Sequence, residues 1–193
     1  MNREQQLKLL KKYISGARLK HSISTEKTAV KLAKLYDEDV KKAAFAGLMH
    51  DIAKDLSKSK RDAMIKQYNI ELDKIEEVNP DIIHGKLGAL ILAENGVKSK
   101  KVLDAITHHT MGAPDMTKLD KIVYLADLIE PKRNFKGVKK LRFYASKDLD
   151  VALFESMKIS LSSVLKRDKP IHPKTLEAYN NLLIKHFYNK RFL

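Results

Sequence analysis

The chain contains no cysteine and no tryptophan, and only seven glycines and five prolines among 193 residues. Without cysteine there is neither a disulfide framework nor a thiolate metal site, and a reducing compartment suits the chain. No apolar run approaches the roughly 18 residues that a membrane-spanning helix requires. Met1 to Lys12 carries scattered charges and no apolar segment, so it does not read as a signal peptide. These absences predict a cytoplasmic protein without a membrane partner. The scarcity of Gly and Pro, with abundant Ala, Leu, Ile, Lys and Glu, also favours helix over sheet.

What is present is an ordinary hydrophobic fraction of 44% and a formal net charge of +14. The first is enough to bury a core at the size of one domain. The second invites a nucleic-acid reading, because cations gain by neutralising phosphates. The basic residues, however, are mostly Lys pairs such as Lys11-Lys12, Lys41-Lys42, Lys100-Lys101 and Lys139-Lys140, spread along the whole chain. Few aromatics accompany them, so a Lys-rich solvated surface accounts for them and nucleic acid is not the expected partner. A small polyphosphate anion would also profit from this field.

Punctuation divides the sequence into helices. Asn2 to Ser15 has apolar positions Leu7, Leu10 and Ile14 and ends at Gly16, and Ser24 to Tyr36 forms the next segment. Asp39 is placed to cap a helix with a Val40, Ala44, Leu48 stripe, and Ser57 opens one running to about Tyr68. Asp81 to Asn95 follows Pro80 and ends at Gly96, and Ser99 is placed to cap Lys100 to His109. Thr117 with Asp120 resembles a capping box for a helix that Pro131 stops. Asp150 to Lys166 and Pro173 to about Tyr188 complete the set, the latter with Pro at its first position. No alternating pattern is long enough to build a sheet. The expected fold is one all-α domain over residues 1–193.

Histidine placement carries the chemistry. Five of the seven His fall at 21, 50, 84, 108 and 109, each on or beside an expected helix. His50-Asp51 lies in the most apolar stretch, Ala43 to Ala53, where an adjacent imidazole and carboxylate need partners or a metal. For that dipeptide alone, a core His hydrogen-bonded to an Asp would suffice. Asp127 repeats the situation within Ile122 to Ile129, and a helix-helix ion pair would satisfy it. His84 and His109 follow the same rule. The joint occurrence of His21, His50, Asp51, His84, His109 and Asp127 is harder to explain without a divalent ion.

The order H…HD…H…H…D on helices resembles the HD superfamily of metal-dependent phosphohydrolases. Arg18-Leu19-Lys20-His21, His50-Asp51-Ile52-Ala53-Lys54, Ala126-Asp127 to Arg133, Gly137-Val138 and Ile171-His172-Pro173-Lys174-Thr175 resemble the YqeK family more closely, with a core from about 18 to 180. That resemblance implies an HD-domain helical bundle that cleaves diadenosine tetraphosphate symmetrically into two ADP through a metal-activated water. It implies His21, His50, Asp51 and Asp127 as primary metal ligands, with His84 and His109 for a second ion or for phosphate. The family has Tyr-His-Thr where this chain has His108-His109-Thr110. His109 is therefore the aligned residue, and His108 is either an extra ligand or a Tyr substitute. The ligand types admit Fe, Mn, Co, Ni or Zn, one ion or two. The resemblance points to iron first and manganese next.

Asp51 is expected to orient the nucleophile, and Lys54, one helical turn beyond His50, to reach a phosphate. Arg133 would hold the leaving ADP and Arg18 is a further substrate contact. Each has a structural alternative, as a surface Lys or as a helix-end cation. The segment Pro170, Ile171, His172, Pro173, Lys174, Thr175 enters a helix and offers backbone N–H groups to a nucleoside end. The expected partner is thus a small dinucleoside polyphosphate, with a homodimer as a further expectation. Rival readings are an HD enzyme for another nucleotide (a nucleoside triphosphate, a monophosphate or a cyclic dinucleotide) and a non-catalytic basic RNA-binding module.

Overall fold

The computed structural model of the protein describes residues 1–188. Among them eleven α-helices follow one another with no strand. The first five are α1 Arg3–Lys11, α2 Gly16–Leu35, α3 Val40–Met49, α4 Lys58–Gln67 and α5 Lys74–Val78. A single 3-10 turn, Pro80–Ile83, leads into α6 His84–Glu94, followed by α7 Lys100–His108 and α8 Lys118–Ile129. The last are α9 Val138–Ala145, α10 Leu149–Leu165 and α11 Pro173–Leu183, which runs on into a π turn, Ile184–Tyr188.

Local chemistry sets most of the helix starts. Asp39 accepts the backbone N–H groups of Lys41 and Lys42, both at 3.0 Å, and so caps α3. Thr117 and Asp120 form the reciprocal box at α8: Asp120 N–H donates to Thr117 Oγ1 at 3.2 Å, and Thr117 N–H donates to the Asp120 carboxylate at 2.7 Å. Gly96 follows α6 with φ +85, the left-handed conformation that glycine adopts without cost. Ser99 occupies the N-cap of α7 but its side chain makes no cap bond.

Several boundaries differ from the sequence pattern, each for a physical reason. Helix α1 stops at Lys11 because the chain then turns to seat Ile14 in the core. Helix α2 begins at Gly16, well before Ser24, although its early turns show no apolar rhythm. Its inward face there is polar, with Ser22 and Thr25 fully buried and His21 beside them. Helix α3 ends at Met49, so His50 and Asp51 lie just past it. The Gly47 carbonyl accepts the His50 ring N–H at 2.8 Å, and the backbone continues in tighter i to i+3 turns through Lys54. Helices α5 and α9 were not anticipated. The Asp73–Glu76 capping box starts the first, and Val138, Leu141 and Ala145 bury one face of the second.

Helix α2 packs along α3 and α8, α6 along α7, and α7 along both α3 and α8. Their apolar faces make one core, in which Leu48, Met49, Ile52, Ile106, Ile122 and Leu125 are wholly buried. Helices α9 and α10 pack on the outer side of α8 and α11 packs on α10; α10, the loop after it and the first turn of α11 form the far wall of a groove. The inward ends of α2, α3, α6, α7 and α8 meet at one polar point within this core.

Candidate metal centre

That point is made by His21, His50, Asp51, His84, His109 and Asp127. Asp51 divides it. One carboxylate oxygen lies 3.5 Å from His50 Nε2 and 3.9 Å from His21 Nε2. The other lies 3.2 Å from His84 Nε2 and 3.6 Å from His109 Nε2. Asp127 joins the first side, 2.9 Å from His21 Nε2 and 3.7 Å from His50 Nε2. The two imidazoles on each side face one another, His21 and His50 at 3.3 Å between Nε2 atoms, His84 and His109 at 2.9 Å. His50, Asp51, His84 and His109 are buried, whereas His21 and Asp127 are half-buried. His108 points elsewhere, with its ring 3.6 Å from Asp120 of α8.

The remaining ring nitrogens decide what this cluster can bind. His50 Nδ1 donates to the Gly47 carbonyl at 2.8 Å, His84 Nδ1 to Asp81 O at 2.6 Å and His109 Nδ1 to Ile106 O at 2.6 Å. His21 Nδ1 faces the buried Glu130 carboxylate at 3.2 Å. With its Nδ1 proton so engaged, an imidazole in its neutral form turns an Nε2 lone pair inward. Four lone pairs and two carboxylates aimed at the same small volume fit divalent metal, and the outer hydrogen bonds are those that orient metal-binding histidines.

Electrostatics point the same way. Burial opposes the His50 imidazolium, yet Asp51 and Asp127 outweigh it and raise its pKa from 6.5 to about 10. Burial likewise opposes the Asp51 and Asp127 carboxylates, but the surrounding imidazoles, and Arg133 for Asp127, hold both well below the usual carboxylate range. Burial drives His84 down to about 4, so its imidazole stays neutral. The His50 side of the centre therefore demands a cation, which a proton or a metal ion can supply.

Two arginines sit on the rim. Arg18 Nη1 donates to Asp51 at 2.8 Å, and its Nε reaches Asp55 at 3.4 Å. Arg133 donates to the Asp127 carboxylate and, through Nε at 2.9 Å, to the Asp127 carbonyl. Lys54 Nζ lies 3.4 Å from His84 Nδ1 and 3.5 Å from the Asp81 carbonyl. Thr110 Oγ1 is 3.3 Å from both His84 Nε2 and His109 Nε2. Lys54, Thr110 and Arg133 also line a groove of about 960 Å³ that runs past Tyr124, Leu128 and Phe135 to α10 and the loop before α11. Its rim carries Lys136, Lys158, Lys166, Arg167 and Lys169 against the acids Asp81 and Glu155. A smaller cavity of about 230 Å³ beside α11 shares no residue with it.

Of the loop Pro170–Thr175, residues Pro170, Ile171, His172 and Thr175 line the groove, whereas Pro173 and Lys174 do not. The ring of His172 is spent inside the protein. Its Nδ1 accepts the Lys174 backbone N–H at 3.2 Å, and its Nε2 donates to Asp73 at 2.7 Å, tying the loop to the start of α5. The sequence offers the backbone N–H groups of this segment to a nucleoside end; the imidazole itself could reach a substrate only by breaking that clasp.

Three contributors have no local signature in the sequence. Glu130 stands in the quoted segment before Pro131, yet its bond to His21 crosses from α8 to α2 and has no local signature. Thr110 directly follows the His pair and carries no signal of its own in the sequence. Arg142 of α9 donates to the carbonyls of Ile129, Glu130 and Arg133 at 2.8–2.9 Å, fixing the turn that carries both Glu130 and Arg133.

A helical bundle with a buried His/Asp centre of this order defines a class, and comparison agrees. The chain belongs to the HD domain family, whose profile matches residues 18–132. It is 40% identical over 185 residues to a Halalkalibacterium halodurans protein named bis(5'-nucleosyl)-tetraphosphatase, symmetrical, covering 95% of this chain and 98% of the relative. A Bacillus subtilis protein of the same name is 38% identical, with the same two coverages of 95% and 98%. Among solved structures, a Clostridium acetobutylicum chain described as a "predicted HD superfamily hydrolase involved in NAD metabolism" superposes with a TM-score of 0.91. It is 37% identical and covers 96% of this chain and 98% of its own length.

The raised His50 pKa gives a test by metal removal. A group whose folded-state pKa exceeds its unfolded value stabilises the fold below the unfolded value and loses that contribution as pH rises through the folded one. Chelator-stripped protein is thus expected to lose stability between pH 6.5 and about 10 as the His50 proton leaves. Metal-loaded protein keeps it, because the ion takes the place of that proton between the same carboxylates. Thermal melts of both forms across this range should diverge with rising pH. Parallel curves would contradict a cation-demanding centre.

Proposed function

We propose that this chain is a symmetrical bis(5'-nucleosyl)-tetraphosphatase, a metal-dependent hydrolase that splits diadenosine tetraphosphate into two ADP. The observation that carries this reading is that the six-residue centre opens, through Lys54, Thr110 and Arg133, directly into a cation-lined groove. Its volume sits at the upper end of the roughly 300–1,000 Å³ common for small-molecule sites. Relatives similar from end to end bear the same name. The whole chain is taken as one HD domain acting in the cytoplasm, either alone or as a homodimer.

His21, His50, Asp51 and Asp127 would hold one divalent ion, and His84 and His109 would hold a second with the other oxygen of Asp51. Iron is the favoured metal and manganese the next, since imidazole and carboxylate without thiolate suit both. When bound, such ions acidify water and neutralise phosphate oxygens.

The residues of the chain do the rest. Asp51, facing both sides, orients the attacking water. Water adds across the central P–O–P linkage: its oxygen bonds one phosphorus, the bridging oxygen departs with the other half, and a proton is released. Lys54, beside His84, offsets charge on the phosphate under attack. Arg133, which lines the groove, would hold phosphate oxygens with the N–H groups it does not spend on Asp127, whereas Arg18, paired with Asp51 and Asp55, would have to leave a carboxylate to do so. Pro170, Ile171 and Thr175, with Phe135 and Leu128, offer a nucleoside end an apolar wall. His172 keeps that wall in place through Asp73.

Product chromatography tests this reading. The metal-loaded protein should convert diadenosine tetraphosphate to ADP alone. ATP with AMP would overturn symmetrical cleavage, and turnover confined to a nucleoside triphosphate or cyclic dinucleotide would move the enzyme to another substrate.

Lys54 separates binding of metal from chemistry. Its ammonium is beside the ligands without being one, so Lys54→Ala should retain its metal while turnover falls by about 10²-fold or more. Metal loss with normal turnover per bound ion would give Lys54 a structural role.

A further inference from the structure

Gly85 directly follows His84 at the start of α6, and it lies where α6 meets the end of α7. A Cβ built on it would sit 2.7 Å from the Ile106 carbonyl oxygen, 2.8 Å from that of Thr107 and 3.3 Å from His109 Nδ1. The first two obstacles are backbone atoms and cannot swing aside as a side-chain end can. Any residue but glycine forces α6 and α7 apart.

The Ile106 carbonyl is also the acceptor that orients His109 through Nδ1 at 2.6 Å. The methyl group of an alanine would therefore press on the atom that aims one imidazole, while its own helix displaces the other. His84 and His109 are the pair at stake, with Nε2 atoms 2.9 Å apart and ring centroids 4.8 Å apart. Ligand distances at a metal tolerate errors of only about 0.2 Å. His21, His50 and Asp127 come from α2, the end of α3 and α8, so they do not ride on α6.

We propose that Gly85 is a positioning residue for one half of the metal centre: its missing side chain sets the His84–His109 spacing that a second ion requires. This rests on the two-ion reading above. Gly88, one turn along the same helix, serves as a control. A Cβ there would be 3.1 Å from the Ile52 Cγ2 methyl, 3.6 Å from Ile106 Cγ2 and 3.9 Å from Ala53 Cβ, so it meets side chains and no backbone, and none of these nearest atoms belongs to either histidine.

The test is metal content and not turnover, so it stands apart from whether diadenosine tetraphosphate is the substrate. Full-length wild type, Gly85→Ala and Gly88→Ala are stripped, titrated with Mn²⁺ alone, and checked for cooperative melting. Wild type and Gly88→Ala should saturate at about two ions per chain. Gly85→Ala should melt cooperatively but bind its second ion about 10–100-fold more weakly, with the first unchanged. Adding Gly85→Ala to His84→Ala should cost no further metal, because both act on the same half. Two native-affinity ions in Gly85→Ala would overturn the proposal. So would a Gly85→Ala chain that fails to fold, because the glycine would then serve the core. A wild type that saturates at one ion would instead remove the two-ion reading on which the proposal stands.

Discussion

Asp51 gives one carboxylate oxygen to each side of the centre, and the rest of the structure is arranged around that division. A carboxylate that is almost wholly buried is costly unless charge and hydrogen bonds surround it. Here four imidazoles converge on it from four different helices or helix ends. Remove the charge at position 51 and the two pairs, His21 with His50 and His84 with His109, have no common partner. The cost of burying Asp51 and the reason for bringing five helices to one point are the same fact.

Three of the four histidines are aimed by one device. His50, His84 and His109 each donate a ring N–H to the carbonyl three residues earlier, at Gly47, Asp81 and Ile106. Each stands at a helix boundary, where carbonyls lack a full complement of helical partners. The boundary thus fixes the ring, and the ring leaves its other nitrogen for the centre. His21 sits inside α2, where no carbonyl is spare, and uses Glu130 of the α8 terminus instead. Arg142 then holds that terminus by three carbonyls, so an outer helix, α9, reaches the centre at second hand. Because the same turn carries Arg133, the rim of the groove and the His21 side of the centre are positioned together.

The sequence made the helical class and most helix starts legible, because caps such as Asp39 and Thr117–Asp120 are local events. It also placed the six His and Asp residues that the fold brings together. What it hid were relations across the chain. The early turns of α2 lacked an apolar stripe because their inward face serves the polar centre, so periodicity began only later. The end of α3 was masked by continuing hydrophobicity from Ile52 and Ala53, which are buried in a turn and not in a helix. Glu130, Arg142 and the clasp between His172 and Asp73 act over roughly 10 to 110 residues of separation, beyond any motif. Gly85 was one small residue in an apolar run until the crossing of α6 and α7 gave it a reason.

The central claim is that Asp51 joins two ion sites. Anomalous scattering from crystals loaded with manganese tests it most directly. Two peaks about 3.5–4 Å apart, one between His21, His50 and Asp127 and one between His84 and His109, are expected, with the Asp51 carboxylate between them. Peaks lying away from Asp51, or a carboxylate turned wholly to one side with the other pair empty at saturating metal, would contradict the account.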